Sequence, residues 1–273
     1  MGSPFRVDQG ITRRRVHRRD GSDWVCEEDE VVVEAPLQIR LAGEPFVTTM
    51  RTPGDDEALV LGLLWSEGVI ARLDEVSAIA RCGEPGDEVL DVRPGPGIAF
   101  DLDRLRRGTL TSASCGVCGR AQIDDLLARV PRVGAAVVDA DTVCAAARSL
   151  GDAQPRFART GALHAAAIFD AAGQPVSSAE DVGRHNAVDK AVGTMLRSEA
   201  SGAVLVVSGR TSFEIVQKAA CARIGVVAAV GGPTSLAIDL AEQAGVALIG
   251  FLRGERMNVY THPQRLGVLQ KDK

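Results

Sequence analysis

Ala203–Val204–Leu205–Val206–Val207 is followed by a stretch of helical spacing, Ser212–Arg223, then by Ile224–Gly225–Val226–Val227–Ala228–Ala229–Val230. A second helical stretch, Thr234–Ala244, leads into Val246–Ala247–Leu248–Ile249–Gly250–Phe251. This alternation decides the fold. Continuous apolar, β-branched runs belong to strands buried on both faces, and strand–helix–strand order places them in a parallel sheet covered by helices. The expected fold class is therefore α/β with a mostly parallel sheet.

Working outward, Leu163–Phe169 reads as another buried strand, Asp170–Gly173 as a turn, and Gln174–Ser177 as the second half of a hairpin. Ser178–Ala179–Glu180–Asp181 reads as the opening of a helix with Val182, Val188, Val192 and Leu196 on its apolar side. A helix over about Asp141–Leu150 begins with a plausible Asp cap. Further upstream, Leu37, Ile39 and Leu41 alternate with polar residues, Ala42–Pro45 turns, and Phe46–Met50 resumes, which predicts paired strands. A helix follows over about Glu57–Glu67, then short strands near 75–82 and 88–93. The chain thus divides into an N-terminal arm (1–30), a small β-rich subdomain (31–110) and an α/β core (111–273).

With 273 residues, 45% hydrophobic and 25% charged, the chain has the composition of an ordinary globular protein. At this length roughly three quarters of the surface can be buried, so disulfide staples are not needed. No apolar run approaches a membrane span, and no apolar segment follows Arg13–Arg14–Arg15, so the expected compartment is the reducing cytoplasm. Net charge is -5, unevenly spread: residues 1–20 carry six arginines and two aspartates. That basic arm reads as a frayed, solvated tail. The acidic remainder argues against nucleic acid as the main ligand.

The stretch Thr111–Ser112–Ala113–Ser114–Cys115–Gly116–Val117–Cys118–Gly119–Arg120 stands apart. A cysteine is ordinarily a small buried hydrophobe, and Cys26, Cys82, Cys144 and Cys221 are assigned that role. Cys115 and Cys118 lack an apolar setting and sit between glycines, ahead of a helical pattern through Ile123, Leu126, Leu127 and Val130. Unpaired N–H groups at a helix start, with Arg120 nearby, favour a thiolate.

A second constellation lies at the predicted strand ends. Ser208–Gly209–Arg210–Thr211–Ser212 and Gly231–Gly232–Pro233–Thr234–Ser235 are small-residue turns feeding helix starts, which suit anions. Leu252–Arg253–Gly254–Glu255–Arg256 follows the third strand, and Arg210, Arg253 and Arg256 offer guanidinium forks for phosphate. Helix capping with solvated arginines would produce the same pattern. His164 and His185 are candidates for acid–base or hydrogen-bonding work, although a structural histidine is the commoner case.

Together these stretches resemble the FdhD family of accessory sulfurtransferases for bacterial formate dehydrogenase. The match is carried by Met50–Asp56, Ser114–Gly119, Leu163–Ala167, Glu180–Lys190, Ser208–Glu214 and Asn258–Pro263. The resemblance implies a cytoplasmic homodimer with a core similar to the cytidine deaminase fold. It implies a sulfurtransferase that accepts sulfane sulfur from an IscS-type cysteine desulfurase as a persulfide. That sulfur would pass to the molybdenum bis(molybdopterin guanine dinucleotide) cofactor, bound as a substrate that GDP would mimic, before the cofactor enters formate dehydrogenase. Cys115 is assigned as the carrier and Cys118 as its helper. The expected cofactor site combines Phe251, Leu252, Arg253, Gly254, Glu255 and Arg256 with Ser208, Gly209, Arg210, Thr211, Ser212, His185 and Tyr260. No structural metal, nucleic acid or membrane is expected.

Other classes fit less well. A thioredoxin-like oxidoreductase would place C-x-x-C after a strand, and Gly108–Ser114 is not a convincing one. A structural zinc site needs about four ligands, and a single C-x-x-C pair supplies two. A zinc deaminase needs His-x-Glu ahead of its C-x-x-C, whereas here Ala166 stands in the Glu place and the cysteines precede His164. A non-catalytic nucleotide-binding chaperone remains the alternative.

Overall fold

The computed structural model describes residues 10–84, 87–101, 130–134, 137–152 and 154–268. Cys115, Cys118 and most of the helix expected over Ala121–Val130 lie outside these described residues.

The α/β core holds a six-stranded sheet. In chain order its strands are β7 (His164–Phe169), β8 (Pro175–Asp181), β9 (Val204–Val207), β10 (Val226–Ala229), β11 (Ala247–Arg253) and β12 (Arg256–Val259). Their spatial order is β12-β11-β10-β9-β7-β8. Among neighbouring strands only β9–β10 and β10–β11 pair in parallel, so the expectation of a mostly parallel sheet is corrected to a mixed one. The reason is connection length. β7 and β8 are joined by a tight turn in which the Ala172 and Gln174 amides donate to the Asp170 carboxylate. The two-residue turn Gly254–Glu255 joins β11 to β12. Short turns force antiparallel neighbours, whereas parallel ones need a crossover.

Three crossover helices, α4 (Arg184–Arg197), α5 (Phe213–Cys221) and α6 (Ser235–Ala244), pack on one face of this sheet against Ala166, Ile168, Leu205, Val207, Val227 and Leu248. Right-handed crossovers between successive strands put such helices on one side. The opposite face is covered by α2 (Ala140–Ser149), whose Val143, Cys144 and Ala146 meet Val204, Val206, Val226 and Ile249. Alternate residues of one strand therefore enter different cores, which is why the runs carry no polar positions.

Ser178–Asp181 does not open a helix. These residues complete β8, and α4 begins only at Arg184. Their polar side chains serve neighbouring elements. Glu180 accepts from the Arg156 and Phe157 amides at the start of α3 (Pro155–Thr160), at 2.9 and 2.7 Å. Asp181 is fully buried and pairs with Lys190 at 2.7 Å.

The N-terminal subdomain is a four-stranded sheet ordered β4-β3-β6-β5, formed by β3 (Ala35–Leu41), β4 (Glu44–Arg51), β5 (Val76–Arg81) and β6 (Val89–Pro94). It packs on α1 (Asp56–Ser66) through Leu37, Ile39, Leu41, Leu90 and Val92 against Leu59, Val60, Leu63 and Leu64. Helix α1 also crosses α4 of the core at very close range. A Cβ on Gly62 would strike the backbone of Asp189, and one on Gly193 the backbone of Ala58.

The part of the expected frayed arm that falls among the described residues is instead a hairpin, β1 (Ile11–Asp20) with β2 (Asp23–Val32), closed by Gly21–Ser22. Its register sets Arg13 opposite Glu30, Arg14 opposite Asp29 and Arg15 opposite Glu28. Cross-strand opposite charges favour such pairing. The assignment of four cysteines as buried small hydrophobes is corrected in part. Cys144 is buried, Cys82 and Cys221 are half-buried, and Cys26 is exposed on the outer part of β2. Burial pushes the Cys221 thiol up to about 11, against a weaker opposing pull from Lys218. Among the described residues no helix is long and apolar enough to cross a membrane.

Candidate functional site

The parallel strands β9, β10 and β11 carry their turns to one end of the sheet. Because β7 runs the other way, its first residue, His164, arrives at that same end. Strand β8 ends there too and delivers Gly183, Arg184 and His185 at the start of α4. A crevice at the carboxyl ends of strands, where the connections reverse direction, is where open α/β sheets bind ligands.

Backbone bonds stitch the turns together. The Gly231 amide donates to the Gly209 carbonyl at 3.1 Å, Thr211 to Gly232 at 3.2 Å, Thr234 to Thr211 at 3.0 Å and Phe251 to Gly231 at 3.1 Å. Ser208 is used structurally: its hydroxyl accepts from the Ala165 amide at 2.9 Å. The glycines are needed for closeness. A Cβ on Gly209 would stand 3.3 Å from His164 Nδ1, and one on Gly231 would stand 2.9 Å from the Gly209 carbonyl. A Cβ on Gly232 would meet the Phe251 ring at 2.6 Å. Phe251 itself adopts φ 53°, a left-handed conformation that is unusual for a bulky residue, and its side chain is 49% exposed. A partly exposed aromatic face thus lies beside the Gly231–Thr234 turn.

The polar groups divide into satisfied and orphaned. His185 Nε2 lies 3.1 Å from Ser212 Oγ, and its Nδ1 lies 3.0 Å from Glu214 Oε2. The bond from His185 holds the Glu214 carboxyl below the usual range, although burial pushes the other way. His164 is pushed down, first by burial and then by the charges of Arg184 and His185, with Asp181 opposing. Its imidazole is therefore biased toward the neutral form. Arg184 Nε and Thr211 Oγ1 are buried without a hydrogen-bond partner among the described residues. Each such orphan costs about 1–3 kcal/mol, and both are donors, so the arrangement fits an incoming oxygen acceptor. At the His164 side of this end of the sheet a cavity of about 410 Å³ is lined by Phe157, Leu163, His164 and Ser208 among others.

Most of the residues expected from sequence meet here: Ser208, Gly209, Arg210, Thr211, Ser212, His185 and Phe251. Leu252 does not, because it is 3% exposed and packs in the core on the α2 face. Arg253, Gly254, Glu255 and Arg256 form the exposed tip of the β11–β12 hairpin, Arg253 opposite Arg256. Tyr260 lies beside Gly250, near Pro233, and lines a separate cavity of about 630 Å³ with Glu242 and His262. From sequence, Arg184 enters only as a member of the polar stretch Glu180–Asn186 at a strand end, and Glu214 only within the family match; neither is assigned to the site. Their signal was adjacency: each lies within two residues of a candidate, His185 or Ser212. Among the described residues no cluster of three His, Cys, Asp or Glu side chains could hold a metal ion.

Comparison with known proteins adds the following. The family model described as FdhD/NarQ matches residues 32–267. A relative called sulfur carrier protein FdhD, from Anaeromyxobacter dehalogenans, is 49% identical, with 94% of each chain covered. Relatives of the same name from Streptomyces avermitilis and Mycobacterium tuberculosis are 46% and 42% identical, covering 94% and 93% of this chain and 95% and 97% of theirs. A crystal structure of a protein from Desulfotalea psychrophila, proposed to be a formate dehydrogenase accessory, shares the fold. It has a TM-score of 0.76 at 23% identity and covers 94% of this chain and 99% of its own. With a family model spanning most of its length and relatives this similar end to end, the chain belongs to the FdhD/NarQ family.

Proposed function

We propose that this protein is a sulfur carrier in the maturation of formate dehydrogenase. The observation that carries the reading is the 49% identity, over 94% of both chains, to a sulfur carrier protein. In this reading the Cys115 thiolate attacks the terminal sulfur of a persulfide on an IscS-type cysteine desulfurase. A new S–S bond forms to Cys115, the old one breaks, and the desulfurase cysteine leaves as thiolate; no oxidant is consumed. Cys118 assists the onward transfer to molybdenum bis(molybdopterin guanine dinucleotide), which is the substrate.

The strand-end site is the proposed place for that substrate. The orphaned donors Arg184 Nε and Thr211 Oγ1, with Arg210 close by, suit its phosphates, and the exposed Phe251 face suits stacking on guanine. GDP would then serve as a mimic. A cytidine deaminase-like kinship of the three-layer core, a homodimeric state and a cytoplasmic setting belong to the same proposal.

Mass spectrometry after incubation with a cysteine desulfurase and cysteine tests it. The expected result is a reductant-sensitive gain of sulfur on the peptide bearing Cys115 and Cys118, abolished in Cys115→Ala and retained in Cys118→Ala. Normal sulfur gain by Cys115→Ala overturns the carrier assignment. No gain in the native chain, with GDP bound, assigns it instead to a cofactor-binding chaperone without sulfur chemistry.

A further inference from the structure

The cavity of about 410 Å³ beside His164 has a lining with a definite chemistry. No Asp, Glu, Lys or Arg side chain lines it, so it suits an uncharged ligand better than an ion. Its polar groups are free to bond. The Gln154 side-chain amide and the His164 ring have no hydrogen-bond partner among the described residues. Burial, then the charges of Arg184 and His185, bias the imidazole to its neutral form, in which one nitrogen donates and the other accepts. The Ser208 oxygen accepts from the Ala165 amide at 2.9 Å, which leaves its hydrogen to donate. On the apolar side, Phe157 is 41% exposed, and its amide is fixed on Glu180 at 2.7 Å. A bare aromatic face beside mixed donors and acceptors fits a flat, uncharged nitrogen heterocycle.

The position of the cavity in the sheet narrows the choice. Neighbouring strands run β11, β10, β9, β7. At their shared end stand, in that order, Phe251, the Gly231–Gly232 turn, Gly209 and His164. A Cβ on Gly232 would meet the Phe251 ring, and the Gly231 amide donates to the Gly209 carbonyl. A Cβ on Gly209 would stand 3.3 Å from His164 Nδ1 and 3.9 Å from Arg184 Cβ. The Thr211 amide donates to the Gly232 carbonyl at 3.2 Å. The residues with orphaned donors, Thr211 and Arg184, thus lie between the exposed Phe251 face and the His164 cavity. Three strand spacings, about 14 Å, separate the two ends. That is a row of ring site, phosphate donors and ring site.

We propose that the His164 cavity is the pterin pocket of the substrate, with the pterin ring on Phe157 and its lactam edge paired to the Gln154 amide. The amide oxygen accepts from the ring N–H, and the amide nitrogen donates to the ring carbonyl. The guanine lies at Phe251, and the intact diphosphate spans Thr211 and Arg184. The inference rests on the substrate reading given above and adds to it a ring pocket built from α3 and β7.

The experiment uses the full chain with free pterin, followed by its own fluorescence, and GDP as the second probe. Pterin is expected to bind equally with and without saturating GDP. Phe157→Ala is expected to weaken pterin by about tenfold or more, the usual worth of one stacking partner, and to leave GDP unchanged. Gln154→Leu is expected to weaken pterin by a smaller factor, and Phe251→Ala to weaken GDP and spare pterin. Circular dichroism confirms that each variant is folded. No pterin binding by the native chain, displacement of pterin by GDP, or equal pterin binding by folded Phe157→Ala overturns the proposal. Loss of GDP binding in Phe157→Ala also overturns it, by placing guanine in the cavity. Sulfur gain measured on the same preparation separates the two ideas: sulfur gain without pterin binding removes only this pocket, and pterin binding without sulfur gain removes only the carrier reading.

Discussion

Lys218→Met is expected to destabilise the protein by about 3–5 kcal/mol, the usual result of removing one partner of a buried ion pair. Lys218 Nζ lies 2.8 and 2.9 Å from the two Asp189 oxygens, with side-chain exposures of 4% and 2%. Burial alone would push the Lys218 ammonium down, but the Asp189 carboxylate outweighs it and keeps the lysine charged. After the substitution Asp189 keeps, among the described residues, only the Ser66 hydroxyl as a donor, at 3.3 Å. Burial already pushes the Asp189 carboxyl up, and without Lys218 it would lose the chief charge that opposes this in the junction of α1, α4 and α5.

The double variant Asp189→Leu/Lys218→Met is expected to recover most of the loss, since apolar replacement of a whole buried pair is often neutral. Lys190→Met is expected to cost less than Lys218→Met. Its partner Asp181 keeps donors from the Thr52 amide at 3.1 Å, the Gly183 amide at 2.8 Å and Asn186 at 3.2 Å. Urea unfolding of the four chains measures the ranking. Equal losses for Lys190→Met and Lys218→Met would refute the argument from remaining donors.

Gly193→Val is the second large effect, expected to cost about 3 kcal/mol or more, or roughly 6–12 °C in Tm for a domain of this order. The nearest atoms to a new Cβ are the backbone carbonyl, carbon and Cα of Ala58, not a flexible side-chain end. Relief requires α1 to retreat from α4, and α1 is held on its other face by Leu37, Ile39 and Leu90. Gly62→Val is expected to behave alike, because its Cβ would meet the Asp189 backbone. A melting temperature within about 2 °C of the native chain in either variant would show that the helices can part at little cost. Gly43→Ala has nothing within 4 Å of its new Cβ, so it reports only the cost of a left-handed backbone at φ 86°.

Much of the core was legible because its strands are buried on both faces. Val204–Val207 and Val226–Ala229 show no polar interruption, and no other environment calls for that pattern. Strand direction was not legible in the same way. The apolar run of β7 is the same whether β7 lies parallel or antiparallel to β9, and only its hairpin with β8 decides. Ser178–Asp181 was misread because an acidic, Ser-containing segment resembles a helix start, while the donors that justify its burial come from Arg156, Thr52 and Lys190. Such partners lie far along the chain, and periodicity does not report them. The arm was misread on its net charge. The better signal was the two-residue Gly21–Ser22 loop with opposite charges facing each other across it. At the site, the three turns were visible from their composition. The orphaned Arg184 Nε and the role of Glu214 were not, because they depend on how α4 and α5 meet.

Helix α4 has a consequence for how the whole molecule comes apart. One rod of 14 residues, about 21 Å long, begins at the strand-end turns, covers part of one face of the six-stranded sheet and locks through Gly193 onto the helix beneath the other sheet. Fraying it would strip both cores together. Calorimetry is therefore expected to show a single heat-absorption peak with equal van't Hoff and calorimetric enthalpies, not one peak per sheet. Amides in β3 and β9 should exchange with deuterium through the same global opening, so the two halves share one lifetime in the cell.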